Sequence, residues 1–414
     1  MEDILECCCG LDIHKETLVA CLLKGPLDNG LRPRSEIKEF GTQLKDLNGL
    51  RQWLHEHECC YVAMESTGIY WQPVYAVLEM ALPDEMHLLV VNARHMKNVP
   101  GKKTDMRDAE WIATLLRAGL LKGSFVPERD IRDLRQFTRY RKALIRDITS
   151  QKNRIEKLLQ SNGFRLSSFL ADIFGSSGLA IMEQLVQVGS ISGQSLDQCL
   201  KGRARQKASD ILSSLNGILS GPQRKLLKMQ LAHLADLQAN LQEVEVEIHH
   251  DFSQFQGPIE LLDSIPGIDL TAAYAILAEI GQEMSAFPTA QHICSWAGLA
   301  PGSHKSAKKQ KKQPVTPGNN YLKTILCEVA WVITSQKKLY LSSWYWRLRQ
   351  RTDAKRAIVA LSRKLLVIIF TMLKSKCAYD EQNFLQRKQA REQKHISRMV
   401  HELNRLGYAV SAPA

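Results

Sequence analysis

Over residues 1–125 the apolar positions fall into short runs separated by polar, helix-spaced stretches. Cys7–Asp12 and Thr17–Leu23 read as strands, Leu44–His57 as a helix, and Tyr61–Met64 and Leu88–Val91 as buried strands with helical segments between them. That alternation predicts an α/β domain. From Ile131 the spacing changes to threes and fours, through Leu134, Ile145, Ile148, Ile155 and Leu159, with Thr138, Arg141 and Lys152 taking other seam positions. A second such run, Leu227, Leu231, Leu234, Leu237, Leu241, Val244 and Ile248, follows a stretch punctuated by Gly175-Ser176-Ser177-Gly178 and Ser220-Gly221-Pro222. Two long helices are expected, paired as a hairpin or across subunits.

From about Leu261 the pattern becomes short helices broken by Pro and Gly, interrupted again by the polar stretch Pro301–Gly318. Helices resume at Tyr321 and near Lys355. A charged helix from Glu381 to Leu406 carries Phe384, Ile396, Met399, Leu403 and Leu406, with Gly407 as its C-cap. The expected divisions are 1–127, an α/β domain; 128–255, a helical coiled-coil region with an insertion; 256–378, a helical domain; and 379–414, a terminal helix.

The 414 residues carry 55 Lys plus Arg against 43 Asp plus Glu, a net charge of +12, and this excess favours a polyanionic partner, nucleic acid foremost. With 44% hydrophobic and 24% charged residues, wholesale disorder and fibrous repeats are excluded. Half of the ten cysteines lie in the runs Cys7-Cys8-Cys9 and Cys59-Cys60, without the CxxC spacing of a zinc site. The N-terminus has acids where a signal peptide has basic residues, and the longest apolar stretch, Leu365–Phe370, is far short of the ~20 residues of a membrane span. A cytoplasmic protein with reduced thiols and no membrane partner is expected.

Candidate chemistry begins with acids. Asp12 and Glu65 each follow an apolar strand, and in α/β sheets ligands gather at the carboxyl ends of strands. Lys103-Thr104-Asp105-Met106-Arg107-Asp108 opens a helical stretch in which Thr104 caps and Asp105 and Asp108, three residues apart, share a face. Alone, each acid is an ordinary cap or turn residue; as a set they repel unless a divalent cation relieves them. Hard oxygen ligands suit Mg²⁺ or Mn²⁺, and two such ions ~3.5–4 Å apart support in-line phosphoryl transfer.

Residues 301–312 hold five lysines and no acid. Such a run reads as a solvated or phosphate-contacting face. It also surrounds Ser306 with Lys305, Lys308 and Lys309, cations that stabilise an alkoxide and a phosphorane-like transition state. Upstream, Ile265-Pro266-Gly267-Ile268 before a helix reads as a helix-hairpin-helix turn able to hold a phosphate, or as a plain turn. Trp296 and Trp331 are expected to pack between helices. Candidate nucleic-acid contacts are Arg94, Lys97, Lys102, Lys103 and Arg107 near the acids, Gly267 at the turn, and Lys305, Lys308, Lys309, Lys311 and Lys312 near the serine.

In order along the chain, Gly10-Leu11-Asp12-Ile13-His14-Lys15, Met64-Glu65-Ser66-Thr67-Gly68, Asn92-Ala93 leading to Lys103-Thr104-Asp105-Met106-Arg107-Asp108-Ala109, Ile265-Pro266-Gly267-Ile268, and Trp296-Ala297-Gly298-Leu299-Ala300-Pro301-Gly302 resemble the DEDD-type transposases of bacterial insertion sequences, the bridge-RNA-guided recombinases. The resemblance implies an α/β RNase H-like (RuvC-like) N-terminal domain and an all-α remainder with a helical transposase domain. It further implies catalytic and metal-binding roles for Asp12, Glu65, Asp105 and Asp108. Ser306 would attack a phosphodiester to form a covalent phosphoserine, with Mg²⁺ on the acids. Implied partners are donor and target DNA, a noncoding RNA that pairs with both, and further copies of the chain in a tetramer. One departure is that Ser306-Ala307-Lys308-Lys309 lacks the second glycine usual after the family's serine, which reduces backbone freedom there. Two other readings compete: a Holliday-junction resolvase-like nuclease, which uses water and does not need Ser306, and a catalytically silent nucleic-acid-binding protein.

Overall fold

The computed structural model describes residues 4–27, 32–66, 68–80, 86–92, 108–301, 305–306, 309–310 and 317–408, with backbone alone at residues 305, 306, 309, 310, 388 and 391. Contacts divide the chain into two compact units, Met1–Val126 and Pro127–Ala414.

The first unit is built on a five-stranded sheet of β1 (Cys7–Ile13), β2 (Thr17–Lys24), β3 (Arg34–Gly41), β4 (Tyr61–Glu65) and β5 (His87–Val91), in the order β3-β2-β1-β4-β5. β1 to β3 are antiparallel, with Gly10 opposite Cys21; β1, β4 and β5 are parallel, with Leu11 opposite Met64 and Glu65 opposite Val91. This is the RNase H-like arrangement. Helices α1 (Leu44–Glu56) and α2 (Trp71–Glu79) cover one face, where Leu11, Leu18, Leu22, Val62 and Met64 meet Leu50, Trp53, Val74 and Leu78. Helix α3 (Asp108–Arg117) covers the other, setting Ala109, Ile112 and Ala113 on Cys8, Cys21, Ala63 and Val91. Burial on both faces is why these central strands read as continuous apolar runs. Strand β3, unforeseen in the sequence pattern, is a mostly exposed edge strand whose charged residues blunt further pairing.

The second unit opens with α4 (Arg129–Ser161), continues through α5 (Ser176–Val188), α6 (Gly193–Cys199) and α7 (Ala208–Ser213), and returns along α8 (Gly221–Asp251). Contacts from Asp130 to Gln254, Arg141 to Glu245 and Gln151 to Gln230 make α4 and α8 an antiparallel hairpin within one chain. The start of α8 is fixed by a capping box, in which the Ser220 hydroxyl accepts from the Gln223 amide and the Gln223 side chain accepts from Ser220 N. The expected seam shifts at one place: Leu144 is buried, whereas Ile145 is 39% exposed. A straight helix drifts against a 3.5-residue repeat, so the next position over comes to face the partner. The insertion between the long helices is folded around Phe164, Ile181, Met182, Leu185 and Leu200.

The rest of this unit is α9 (Gln256–Asp263), α10 (Leu270–Ile280), α11 (Ala290–Trp296), the short strands β6 (Lys305–Ser306) and β7 (Lys309–Gln310), then α12 (Asn320–Ser335), α13 (Tyr340–Arg349), α14 (Ala354–Ser375) and α15 (Glu381–Arg405). The apolar run Leu365–Phe370 lies on α14, largely in the core of this bundle. Among the described residues no helix is long and apolar enough to cross a membrane.

Candidate active site

Asp12 lies within β1, which runs to Ile13, and Glu65 is the last residue of β4; each strand ends one residue beyond its predicted end, Asp12 and Met64 respectively. The parallel register that pairs Leu11 with Met64 brings Asp12 and Glu65 to the next rung of neighbouring strands, at the carboxyl edge of the sheet. Their strand neighbours Leu11 and Met64 face the core under α1 and α2, so alternation turns both acids to the α3 side.

Asp108 begins α3, and the close seating of that helix is set by Gly10. A β-carbon on Gly10 would stand 2.3 Å from the Ala109 carbonyl oxygen and 2.4 Å from the Ala113 nitrogen. Only glycine admits a helix backbone so near the strand. Three of the expected acids are thereby carried by elements that converge on one sheet edge. The Asp12 side chain is 20% exposed, and its Oδ2 lies 3.3 Å from His14 Nε2, a neighbour the sequence reading did not single out. Asp105, Thr104, Arg94, Lys97, Lys102, Lys103 and Arg107 lie outside the described residues.

By donor chemistry, the carboxylates of Asp12, Glu65 and Asp108 with one nearby imidazole fit a hard divalent cation, since carboxylate oxygens suit Mg²⁺ or Mn²⁺, but their ligand atoms do not all lie within 4.8 Å of one another. A separate group, Glu247, His250 and Asp251, lies exposed near the end of α8 with its ligand atoms within 4.8 Å of one another. There Asp251 accepts from the His250 ring and raises its pKa.

Ser306 belongs to the second unit, on a two-strand hairpin in which Lys305 pairs with Gln310 and Ser306 with Lys309. Lys308, Lys311 and Lys312 lie outside the described residues. The base of this segment is tight. A β-carbon on Gly318 would lie 2.2 Å from Gly298 N, and Asn319 N donates to Trp296 O at 3.3 Å. Gly298 itself takes φ 70°, a conformation that favours glycine.

The Ile265–Ile268 turn packs inward, with Ile265 fully buried and Gly267 at φ 92°. A β-carbon on Gly267 would meet Ile333 Cγ1 at 3.0 Å. The following helix, α10, is capped by its own acid: Asp269 accepts from Ala272 N at 2.8 Å. That carboxylate takes up a helix-start amide and repels a phosphate placed beside it. Gly267 also lines a cavity of about 410 Å³ together with Arg139, Arg141, Lys142 and Tyr321. Trp296 tilts against Phe287 with ring centroids 5.4 Å apart. Trp331 departs from expectation: it touches Tyr345 edge-on but is 52% exposed, on the outward face of α12.

All ten cysteines are free. A hydrogen bond from the Cys59 thiol, helped by Lys24 and His57, lowers the Cys7 thiol to about 7.

Two family models match the chain, one described as "Transposase", of the DEDD type, over residues 9–162, and one described as "Transposase IS116/IS110/IS902 family" over 259–347. Together they span more than half of it, and the chain belongs to this family of insertion-sequence transposases. The pilin gene-inverting protein of Moraxella bovis is 31% identical over 124 residues, 29% of this chain and 38% of that protein's length. The putative transposase y4qE of Sinorhizobium fredii is 22% identical over 379 residues, 90% of this chain and 83% of its own. The RuvC structure of Thermus thermophilus aligns with 28% of this chain and 99% of its own length, at 14% identity and a TM-score of 0.24.

Proposed function

We propose that the protein is a recombinase that moves an insertion sequence by exchanging DNA strands through a serine ester. The observation that carries this reading is the gathering of Asp12, Glu65 and Asp108 at one sheet edge, in a chain of the transposase family that also presents Ser306 on a hairpin beside Lys305 and Lys309. Ser306 Oγ attacks the phosphorus of a DNA phosphodiester and one P–O ester bond breaks. The serine proton passes to the departing strand's oxygen, which becomes a hydroxyl. Attack by a hydroxyl of another strand on the phosphoserine reverses these changes and rejoins DNA without an external energy source.

Asp12, Glu65 and Asp108, with Asp105, would hold Mg²⁺, Mn²⁺ serving in its place. When bound, the cation supplies charge neutralisation at the phosphate oxygens. The chain's own cations, Lys305, Lys308, Lys309, Lys311 and Lys312 at the serine and Arg94, Lys97, Lys102, Lys103 and Arg107 near the acids, bind the DNA and RNA backbones. A noncoding RNA pairing with donor and target DNA selects the sites, and the protein works in the cytoplasm as a homo-tetramer. In this reading residues 1–127 carry the acids, 128–255 the helical hairpin, 256–378 the serine and 379–414 the terminal helix.

The test is a denaturing gel of end-labelled donor and target DNA incubated with the protein, the transcript flanking its coding region, and Mg²⁺. A labelled species at protein mass that disappears in Ser306→Ala supports the ester. Cleaved DNA without that species, indifferent to Ser306→Ala, replaces this reading with hydrolysis by the acids alone.

A further inference from the structure

Glu279 is the lone acid of an otherwise apolar helix, Leu270–Ile280, and is 1% exposed between Ala278 and Ile280, both fully buried. A carboxylate in that setting is costly unless it is paired and hydrogen-bonded. It is held from two sides. On α4, Arg139 donates from Nε and Nη2 to the two carboxylate oxygens at 2.8 and 2.9 Å. Arg135, one turn earlier, lies 3.6 Å away and donates to the carbonyls of Ala278 and Glu279 at 2.8 and 2.9 Å.

On the other side, Glu279 Oε2 accepts from Asn319 Nδ2 at 2.6 Å. Asn319 has three duties at one point: its Oδ1 caps α12 through Leu322 N, its backbone N–H reaches Trp296 O, and its amide meets Glu279. It directly follows Gly318, which is pressed against Gly298. The chain therefore leaves for Ser306 and returns from it at a single clamp, and the charged network bolts that clamp to α4.

An apolar side chain of similar volume would stabilise a helix junction as well or better, because desolvating three charged groups offsets much of their attraction. What charged hydrogen bonds add is direction, a fixed distance and angle that hydrophobic contact does not impose. We propose that Glu279 and Asn319 are positioning residues that set the base of the Ser306 hairpin for attack. The inference rests on Ser306 being the nucleophile.

The experiment compares wild type with Asn319→Ser and Asn319→Thr in the full chain, since both substitutions keep a helix-capping oxygen while removing the amide donor. Single-turnover formation of the protein–DNA adduct at saturating labelled DNA is followed beside the apparent Kd for that DNA and the thermal midpoint. The expected result is adduct formation slowed at least tenfold, with Kd unchanged within twofold and the midpoint within a few degrees. A folded variant that forms adduct at the wild-type rate overturns the proposal. Unfolding of both variants also overturns it, by reducing the network to structural support. Absence of adduct in wild type is a different failure, that of the serine reading itself.

Discussion

Gly10 lies beneath Ala109, so close that a β-carbon would come within 2.3 Å of the Ala109 carbonyl oxygen. The obstacle is helix backbone, which cannot swing aside as a flexible side chain would. Gly10→Ala should therefore lift the start of α3, costing about 1–3 kcal/mol by overpacking. It should also carry Asp108 away from the Asp12 edge. The expected outcome is a lower thermal midpoint together with loss of metal-dependent cleavage. Gly49→Ala serves as a control, because a β-carbon there would meet nothing within 4 Å.

Asp12→Asn and Ser306→Ala should separate chemistry from binding. Neither substitution removes a positive charge, so the attraction to nucleic-acid backbones that the proposed function requires is retained. Strand exchange should fall by about three orders of magnitude or more in each, as expected on removal of a group acting in concert with others. Electrophoretic mobility shifts with labelled DNA and with the flanking transcript should stay near wild type. Normal exchange by Ser306→Ala would sink the ester mechanism.

Much of the first unit is legible in the sequence because its central strands are buried on both faces: β1, β2, β4, β5 and α1 fall within about two residues of their predicted ends, an ordinary margin for element boundaries. Strand β3 escapes notice because Arg34–Gly41 is an exposed edge rich in charge, without the apolar run that marks its neighbours. The placement of Asp12 and Glu65 follows from strand-end logic, but the role of Gly10 in seating α3 needs the packing of the helix on the sheet. Glu279 left a readable sign, one acid in Leu-Thr-Ala-Ala-Tyr-Ala-Ile-Leu-Ala-Glu-Ile, though its partners on α4 lie some 140 positions away in sequence.

Glu279 and Glu245 both pair with arginines of α4, and burial separates their contributions. Glu279 is 2% exposed at its side chain, whereas Glu245, paired with Arg141 at 2.6 Å, is 38% exposed. Glu279→Ala strands Arg135, whose side chain is 17% exposed, and leaves the Asn319 amide without its acceptor, while Arg139, 39% exposed, rehydrates; the loss should be about 3 kcal/mol. Glu245→Ala removes a carboxylate that is itself 38% exposed and screened by solvent, and should cost about 1 kcal/mol or less. Chemical denaturation of the two variants checks the contrast, and equal losses would show that the Glu279 network adds nothing beyond an exposed pair.

Cys7 should be the reactive thiol of the first unit. The Cys59 thiol donates to it, and Lys24 and His57 add favourable charge, so its pKa falls from 9.0 to about 7. The hydrogen bond to Cys7, with burial behind it, pushes Cys59 the opposite way, and burial does the same to Cys9, keeping both as unreactive thiols. Since the thiolate is the nucleophile, alkylation of Cys7 by iodoacetamide should rise as pH climbs through about 7, two units before an ordinary thiol responds. Removing the donor with Cys59→Ala should move that midpoint upward toward 9.0, while Cys7→Ser should abolish the early phase. Mass spectrometry of the modified peptides, taken across pH 6 to 9, reads both shifts, and a midpoint that ignores Cys59→Ala would transfer the effect to Lys24 and His57.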